Sequence, residues 1–171
     1  QIKDFFKTHH PLFRDGYYRF DARIFTVAEI SARQALIECA PDIYNNHRLG
    51  YKPHILIIGF DRLGESLLLQ AVQWLTFSCT HKLNVTIIDR DPQKKDYISD
   101  KYPFLINFVD LHFSDLDAQY LNHDKFNKLQ QDDIFLIIFI SLGDEISGLQ
   151  TAINLNNFTT TKKIVFTSQR T

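Results

Sequence analysis

Apolar positions follow a helical spacing over residues 27–37 and a strand–helix alternation from residue 54 onward. In the first stretch, Thr26 and Glu29 form a capping box, with Thr at the N-cap and Glu three residues on. Behind it, Val27, Ile30, Ala35 and Ile37 make an apolar stripe. The pattern predicts a helix over 27–38 that stops before Pro41, because proline lacks the N–H that a helix interior needs. Residues 42–53 contain Asn45, Asn46, Gly50 and Pro53 and read as a surface linker. The aromatic and histidine-rich stretch ahead of the helix includes Phe5, Phe6, Phe13 and Tyr17. Such a cluster predicts packing as a separate unit or against a partner.

From residue 54 the period changes. Residues 54–58 are a short run apolar on both faces, as a central parallel strand requires. A glycine-containing turn leads to a helix over 64–80, with Leu67, Leu68, Ala71, Trp74 and Leu75 on its apolar face. Strands are predicted at 83–89, 106–113, 134–141 and 163–167. Between them lie a helix over 91–99 with Pro92 at its first position, a polar helix or turn over 117–129, and a helix over 144–155. Strands separated by helices imply βαβ units. The expected fold is therefore α/β, a Rossmann-like doubly wound parallel sheet in the order 3-2-1-4-5 with helices on both faces. A helical connector precedes it. The corresponding division is a connector over 1–53 and a nucleotide-binding domain over 54–171.

Three stretches carry candidate chemistry. The first is the turn Gly59-Phe60-Asp61-Arg62-Leu63-Gly64, placed between a strand and a helix. In the G-x-G-x-x-G fingerprint the first glycine makes the turn, the second admits a pyrophosphate and the third packs the helix on the strand. Gly59 and Gly64 fill the outer roles, and Asp61 replaces the middle glycine. A carboxylate at that position repels a phosphate by ~4 kcal/mol at ~4 Å and an effective dielectric near ~20. The helix N-terminus attracts phosphate by only about 0.3–2 kcal/mol, so repulsion wins. A βα turn that needs glycines for geometry alone also accounts for the motif. The second stretch is the end of the second strand, where Asp89 is placed to accept ribose hydroxyls and Arg90 to meet a 2′-phosphate. Asp89 is equally suited to capping the turn that follows. The third is Ser141-Leu142-Gly143-Asp144-Glu145, small residues at the carboxyl edge of the fourth strand. There Asp144 reads first as a helix N-cap.

Charge and composition narrow the function classes. Lys and Arg total 19 against 20 Asp and Glu, so no basic excess points to nucleic acid. The two cysteines, Cys39 and Cys79, fit no zinc spacing and suggest a reduced, cytoplasmic setting. The adjacent His9 and His10 do not make a metal site, because neighbours on an extended segment point apart. No Gly-Lys-Ser/Thr follows either glycine, and no nucleophile stands beside a base, so no catalytic residue is expected. The chain has no Met and ends directly after a strand-like run, which reads as a piece of a longer protein.

With these residues in hand, the chain from residue 54 resembles the RCK/TrkA-N family, the nucleotide-binding regulatory domains of potassium channels and transporters. The matching stretches are HILIIGFDRLGE (54–65), LNVTIIDRD (83–91), LHFSDLDAQYL (111–121), FLIIFISLGDEISGLQTAINL (135–155) and KKIVFTS (162–168). The segment RIFTVAEISARQAL (23–36) resembles the connector before a second such domain in tandem bacterial members. The resemblance implies an adenine-nucleotide ligand, NAD(H) or ATP/ADP, a homo-oligomer, and coupling to a membrane channel or transporter at its cytoplasmic face. Carried over by position, Gly59, Gly64 and the turn residues 60–63 would face the phosphates and Asp89 the ribose. Ser114 and Asp115 stand where the family has Gly-Asp near the base, and Gly143 and Asp144 border the crevice. Asp61 and Ser114 depart from the pattern and imply a site that has lost its ligand. Two other functions compete: the cofactor-binding part of a dinucleotide-dependent oxidoreductase, and a ligand-free Rossmann scaffold serving assembly.

Overall fold

The computed structural model describes residues 26–48, 53–75, 82–130, 135–159 and 164–166. Helix α1 (Val27–Arg48) comes first, followed by β1 (His54–Ile58), α2 (Arg62–Leu75) and β2 (Leu83–Ile88). Helix α3 (Gln93–Lys101) and a 3₁₀ turn (Pro103–Asn107) lead to β3 (Val109–Ser114). A second 3₁₀ turn (Ala118–Tyr120) and α4 (His123–Gln130) lead to β4 (Ile137–Ile140), α5 (Glu145–Phe158) and β5 (Ile164–Phe166). The strands form one five-stranded sheet in the order β3-β2-β1-β4-β5. Every pairing is parallel, with Ile57 beside Ile87 on one side and Phe139 on the other. The expected Rossmann-like sheet order is the observed one.

Alternation along the strands sends residues to two cores. Ile55, Ile57, Val85, Ile87, Ile137 and Phe139 pack with α1, α2 and Ile98 of α3. Leu56, Ile58, Ile88, Ile138 and Ile140 pack with Phe126 of α4 and Leu155 of α5. Helices therefore cover both faces, and every residue of β1 and β4 is buried.

The chain ahead of the sheet differs from its sequence pattern. Helix α1 continues through Pro41 to Arg48, so most of the expected linker is helix. Residues 49–52 and the aromatic stretch 1–25 lie outside the described residues. Of the expected stripe, Ala35 is buried, but the three larger members face outward: Val27 is 75% exposed, Ile30 57% and Ile37 43%. The buried face consists of Ala28, Ala32, Ala35, Leu36 and Cys39, in the same core as α2. Small side chains let two helices approach closely, and here that need outweighs hydrophobicity. Thr26 and Glu29 do form the capping box, each accepting the other's N–H at 3.2 and 3.0 Å.

Smaller shifts follow the same logic. Trp74 is 41% exposed rather than embedded. The third strand starts at Val109, because Pro103–Asn107 coils into the 3₁₀ turn.

Candidate functional site

In the order β3-β2-β1-β4-β5 the chain leaves β1 and β4 in opposite directions, toward α2 on one face and α5 on the other. Such a reversal opens a crevice beyond the carboxyl ends of the strands. A cavity of about 570 Å³ lies there, with Gly59, Ile88 and Ser141 at the strand ends. One wall is the segment after β2, including Asp89, Arg90, Asp91 and Lys94. The other is the segment after β4, including Leu142, Gly143, Asp144 and Ser147. Leu116 to Gln119 complete it, and Gln119 Nε2 donates to Ser147 Oγ at 3.2 Å across the rim.

The glycine turn is a steric necessity before it is a binding device. Gly59 has φ +88°, and a Cβ there would lie 2.0 Å from the carbonyl oxygen of Ser141. A Cβ on Gly64 would lie 2.3 Å from the carbonyl oxygen of Gly59. The two glycines let β1, β4 and the first turn of α2 meet. Gly143, by contrast, has open space around its Cβ position.

Asp61 caps the helix that begins with Arg62. Its Oδ1 accepts the N–H of Leu63 at 2.9 Å and of Gly64 at 3.0 Å. The same oxygen accepts the hydroxyl of Ser141 at 2.6 Å. Ser141 is buried, so this bond ties the turn after β1 to the end of β4 across the crevice floor. The N-terminal amides of a helix are the donors that hold a phosphate. Here the chain's own carboxylate holds two of them.

Asp89 also serves the turn. Its Oδ2 accepts the N–H of Phe60 at 2.7 Å, and its Oδ1 accepts the N–H of Asp91 at 2.9 Å. Lys94 Nζ donates to the Phe60 carbonyl at 2.6 Å. The Phe60 residue is thus held at its N–H and its C=O from the β2–α3 segment. Each oxygen of Asp89 keeps a second lone pair, so the carboxylate can still accept a hydroxyl.

Of the residues singled out from sequence, Gly59, Phe60, Asp61, Asp89, Arg90, Ser141, Gly143 and Asp144 line the crevice together. Arg62 is exposed and outside the lining, while Leu63 and Gly64 are buried behind it. Ser114 and Asp115 are not in the lining; the Ser114 carbonyl accepts the N–H of Asp89 at 3.1 Å, in line with the sheet. Asp144 caps α5, accepting the N–H of Ser147 at 2.8 Å. Bonds from the Ser147 hydroxyl and N–H hold its carboxyl below the usual carboxylate range. Sequence reasoning missed Asp91, Lys94, Asp117, Gln119 and Ser147. The Asp91-Pro92 step, with Lys94 within the next turn, was the available signal for the first two.

The lining carries Asp61, Asp89, Asp91, Asp117 and Asp144 against Arg90 and Lys94. Its balance is acidic. Among the described residues no group of His, Cys, Asp and Glu side chains is arranged to hold a metal ion. Among them, too, no helix is long and apolar enough to cross a membrane. Comparison with protein-family models, with curated proteins and with solved structures finds no match to this chain.

Proposed function

We propose that this chain is a non-catalytic regulatory domain of the RCK/TrkA-N kind whose crevice is closed to pyrophosphate by its own Asp61. One observation carries the reading: Asp61 Oδ1 takes the Leu63 and Gly64 amides and the Ser141 hydroxyl together. A phosphate at this turn would have to displace a carboxylate that already has three donors. It would also meet four further Asp side chains in the lining. The regulatory assignment is supported by the order of the five sequence stretches and by the parallel 3-2-1-4-5 sheet they build. An oxidoreductase role has less support, because such a cofactor site needs the amides that Asp61 occupies. The crevice retains space and acceptors for a nucleoside end, since Asp89 still lines it.

Isothermal titration with adenosine, ADP, ATP and NAD(H) tests the proposal. The wild-type chain is expected to show no tight binding of the three phosphorylated ligands. Asp61→Gly uncovers the two amides and should strengthen ADP and NAD(H) binding by roughly 100-fold, or about 2.7 kcal/mol. Adenosine, lacking phosphate, should be indifferent to the substitution. Low-micromolar NAD(H) or ADP binding by the wild type, unchanged in Asp61→Gly, would overturn the reading.

A further inference from the structure

Among the described strands β3 ends the sheet, so one of its edges pairs with β2 and the other does not. The Phe108 and Ser114 carbonyls accept the N–H groups of Leu83 and Asp89, at 3.3 and 3.1 Å. Backbone groups alternate sides along a strand, so Asp110 and His112 also face β2. Val109, Leu111 and Phe113 therefore turn their N–H and C=O groups away from the sheet, and no hydrogen bond among the described residues reaches them. Exposed edges are ordinarily blunted by lysine, proline or a bulge. Strand β3 has none of these, and its register with β2 is unbroken from Val109 to Ser114. A groove of about 770 Å³ runs along it, with Ile98, Tyr102 and Leu105 in its wall and Ile106, 72% exposed, beside them.

We propose that this edge takes β3 of a second copy of the chain, antiparallel about a two-fold axis at Leu111. The strand's own pattern identifies the occupant. Asp110 and His112 flank Leu111, and Val109 and Phe113 flank them in turn. Reversing the strand lays Asp110 against the second copy's His112 and Val109 against its Phe113, and the two-fold repeats both pairs. The backbone agrees with this register. Leu111 opposite Leu111 and Val109 opposite Phe113 become hydrogen-bonded pairs, so every outward N–H and C=O of the three residues finds a partner. Asp110 and His112 then fall at a non-hydrogen-bonded pair, where facing side chains come closest. Both are exposed, and the Asp110 side chain is 51% exposed even with Lys82 Nζ of its own chain at 3.8 Å. A slip of two residues either way would set Asp110 against Asp110 or His112 against His112, so charge fixes the register. On the other face the second copy's Leu111 and Phe113 meet the groove beside α3.

The two sheets then continue as one, parallel within each copy and antiparallel at the seam. Since each crevice lies at the carboxyl ends of its own strands, the two open at opposite ends of the joined sheet. No crevice residue takes part, so the contact is independent of what the crevice holds. A single pair of short strands holds weakly, and the expected Kd is on the order of 100 µM.

Sedimentation velocity from ~10 to ~500 µM brackets a contact of this strength. A reversible monomer–dimer equilibrium is expected. His112→Asp opposes two carboxylates at both pairs and should weaken the dimer at least ~10-fold. His112→Lys keeps the charges opposite and should dimerise at least as tightly as wild type. His112 is exposed, so neither change should move the thermal midpoint of the dilute chain. Register is read by mixing Asp110→Cys chains with His112→Cys chains under oxidation. Facing Cα atoms at such a pair are ~4.5 Å apart, within reach of a disulfide, so the mixture should crosslink faster than either variant alone. A monomer throughout the range would leave the edge to a strand of another protein and overturn the proposal. So would equal responses to His112→Asp and His112→Lys, or a mixture that crosslinks no faster than its components.

Discussion

Gly59 and Gly64 illustrate how one residue type answers two questions. Their positions in the turn are legible from sequence as glycines between a strand and a helix, and the structure requires both for packing whether or not a ligand is present. Gly59→Ala forces a side chain into positive φ and against the Ser141 carbonyl. It should destabilise the fold by at least ~3 kcal/mol, lowering Tm by roughly 10 °C. Gly143→Ala meets open space and should stay within about 0.5 kcal/mol of wild type. Thermal melts of the two variants, compared side by side, decide this; equal losses would mean that the Gly59 turn is more forgiving than its contacts indicate. Asp61 was legible as an unusual residue in a phosphate turn, but not the way it is used. Sequence places it as a charge that repels; the structure has it turned onto the helix amides, which depends on Ser141, eighty positions away in the chain.

At the scale of elements, helices α2 and α3 are clasped by side chains. Glu65 Oε1 accepts from Lys101 Nζ at 2.7 Å and from the hydroxyls of Tyr97 at 3.0 Å and Tyr102 at 2.5 Å. Burial pushes the Glu65 carboxyl up, but the hydrogen bonds from Lys101, Tyr102 and Tyr97 outweigh it and leave it below its ordinary 4.5. A depressed folded value stabilises above the unfolded value, and the benefit disappears as pH falls through the folded one. Stability should therefore decline below about pH 4.5, and Glu65→Gln should flatten that part of the curve. Tyr102 runs the other way. Burial, and then its bond to Glu65, push its hydroxyl from 10.0 to about 12. Its contribution is complete below pH 10 and is lost between there and about 12, so Tyr102→Phe should remove an alkaline loss in that window. Melts recorded from acid to alkaline pH read both limbs; a Glu65→Gln curve parallel to wild type in acid would rule the clasp out as a source of pH dependence. None of this clasp was legible in the sequence, because its members are joined only when two helices lie side by side. The two helices themselves were legible, α2 from its apolar spacing and α3 from the Asp91-Pro92 start, and the strands from their apolar runs.

The molecule as a whole was readable where burial is two-sided and unreadable where it is selective. Strands β1 and β4 have every side chain buried, so apolar runs mark them without ambiguity. Helix α1 buries alanines and exposes valine and isoleucine, so hydrophobicity points to the wrong face. The boundary expected at residue 54 is crossed by the core itself, since Ala28, Ala32, Ala35, Leu36 and Cys39 share one cluster with α2 and the sheet. Removing residues 1–48 should therefore cost roughly 5 kcal/mol or more, a large part of ordinary domain stability. The shortened chain is expected to bind hydrophobic dyes and lose near-ultraviolet dichroism while keeping its far-ultraviolet signal. Cooperative melting at the wild-type temperature would show that α1 is dispensable.

The bond from Ser141 to Asp61 has one more consequence, for entropy. In most phosphate-binding turns the amides wait for a ligand, and part of the binding energy goes into stilling the loop. Here two of those amides already have a resident acceptor, anchored to the end of a buried strand. The turn is immobilised when the chain folds. A crevice ligand thus finds little left to order, and rigidification of this loop cannot serve as its signal. In Asp61→Gly the cost of stilling the turn moves from folding to binding, and the ADP titration of that variant should carry a correspondingly unfavourable entropy.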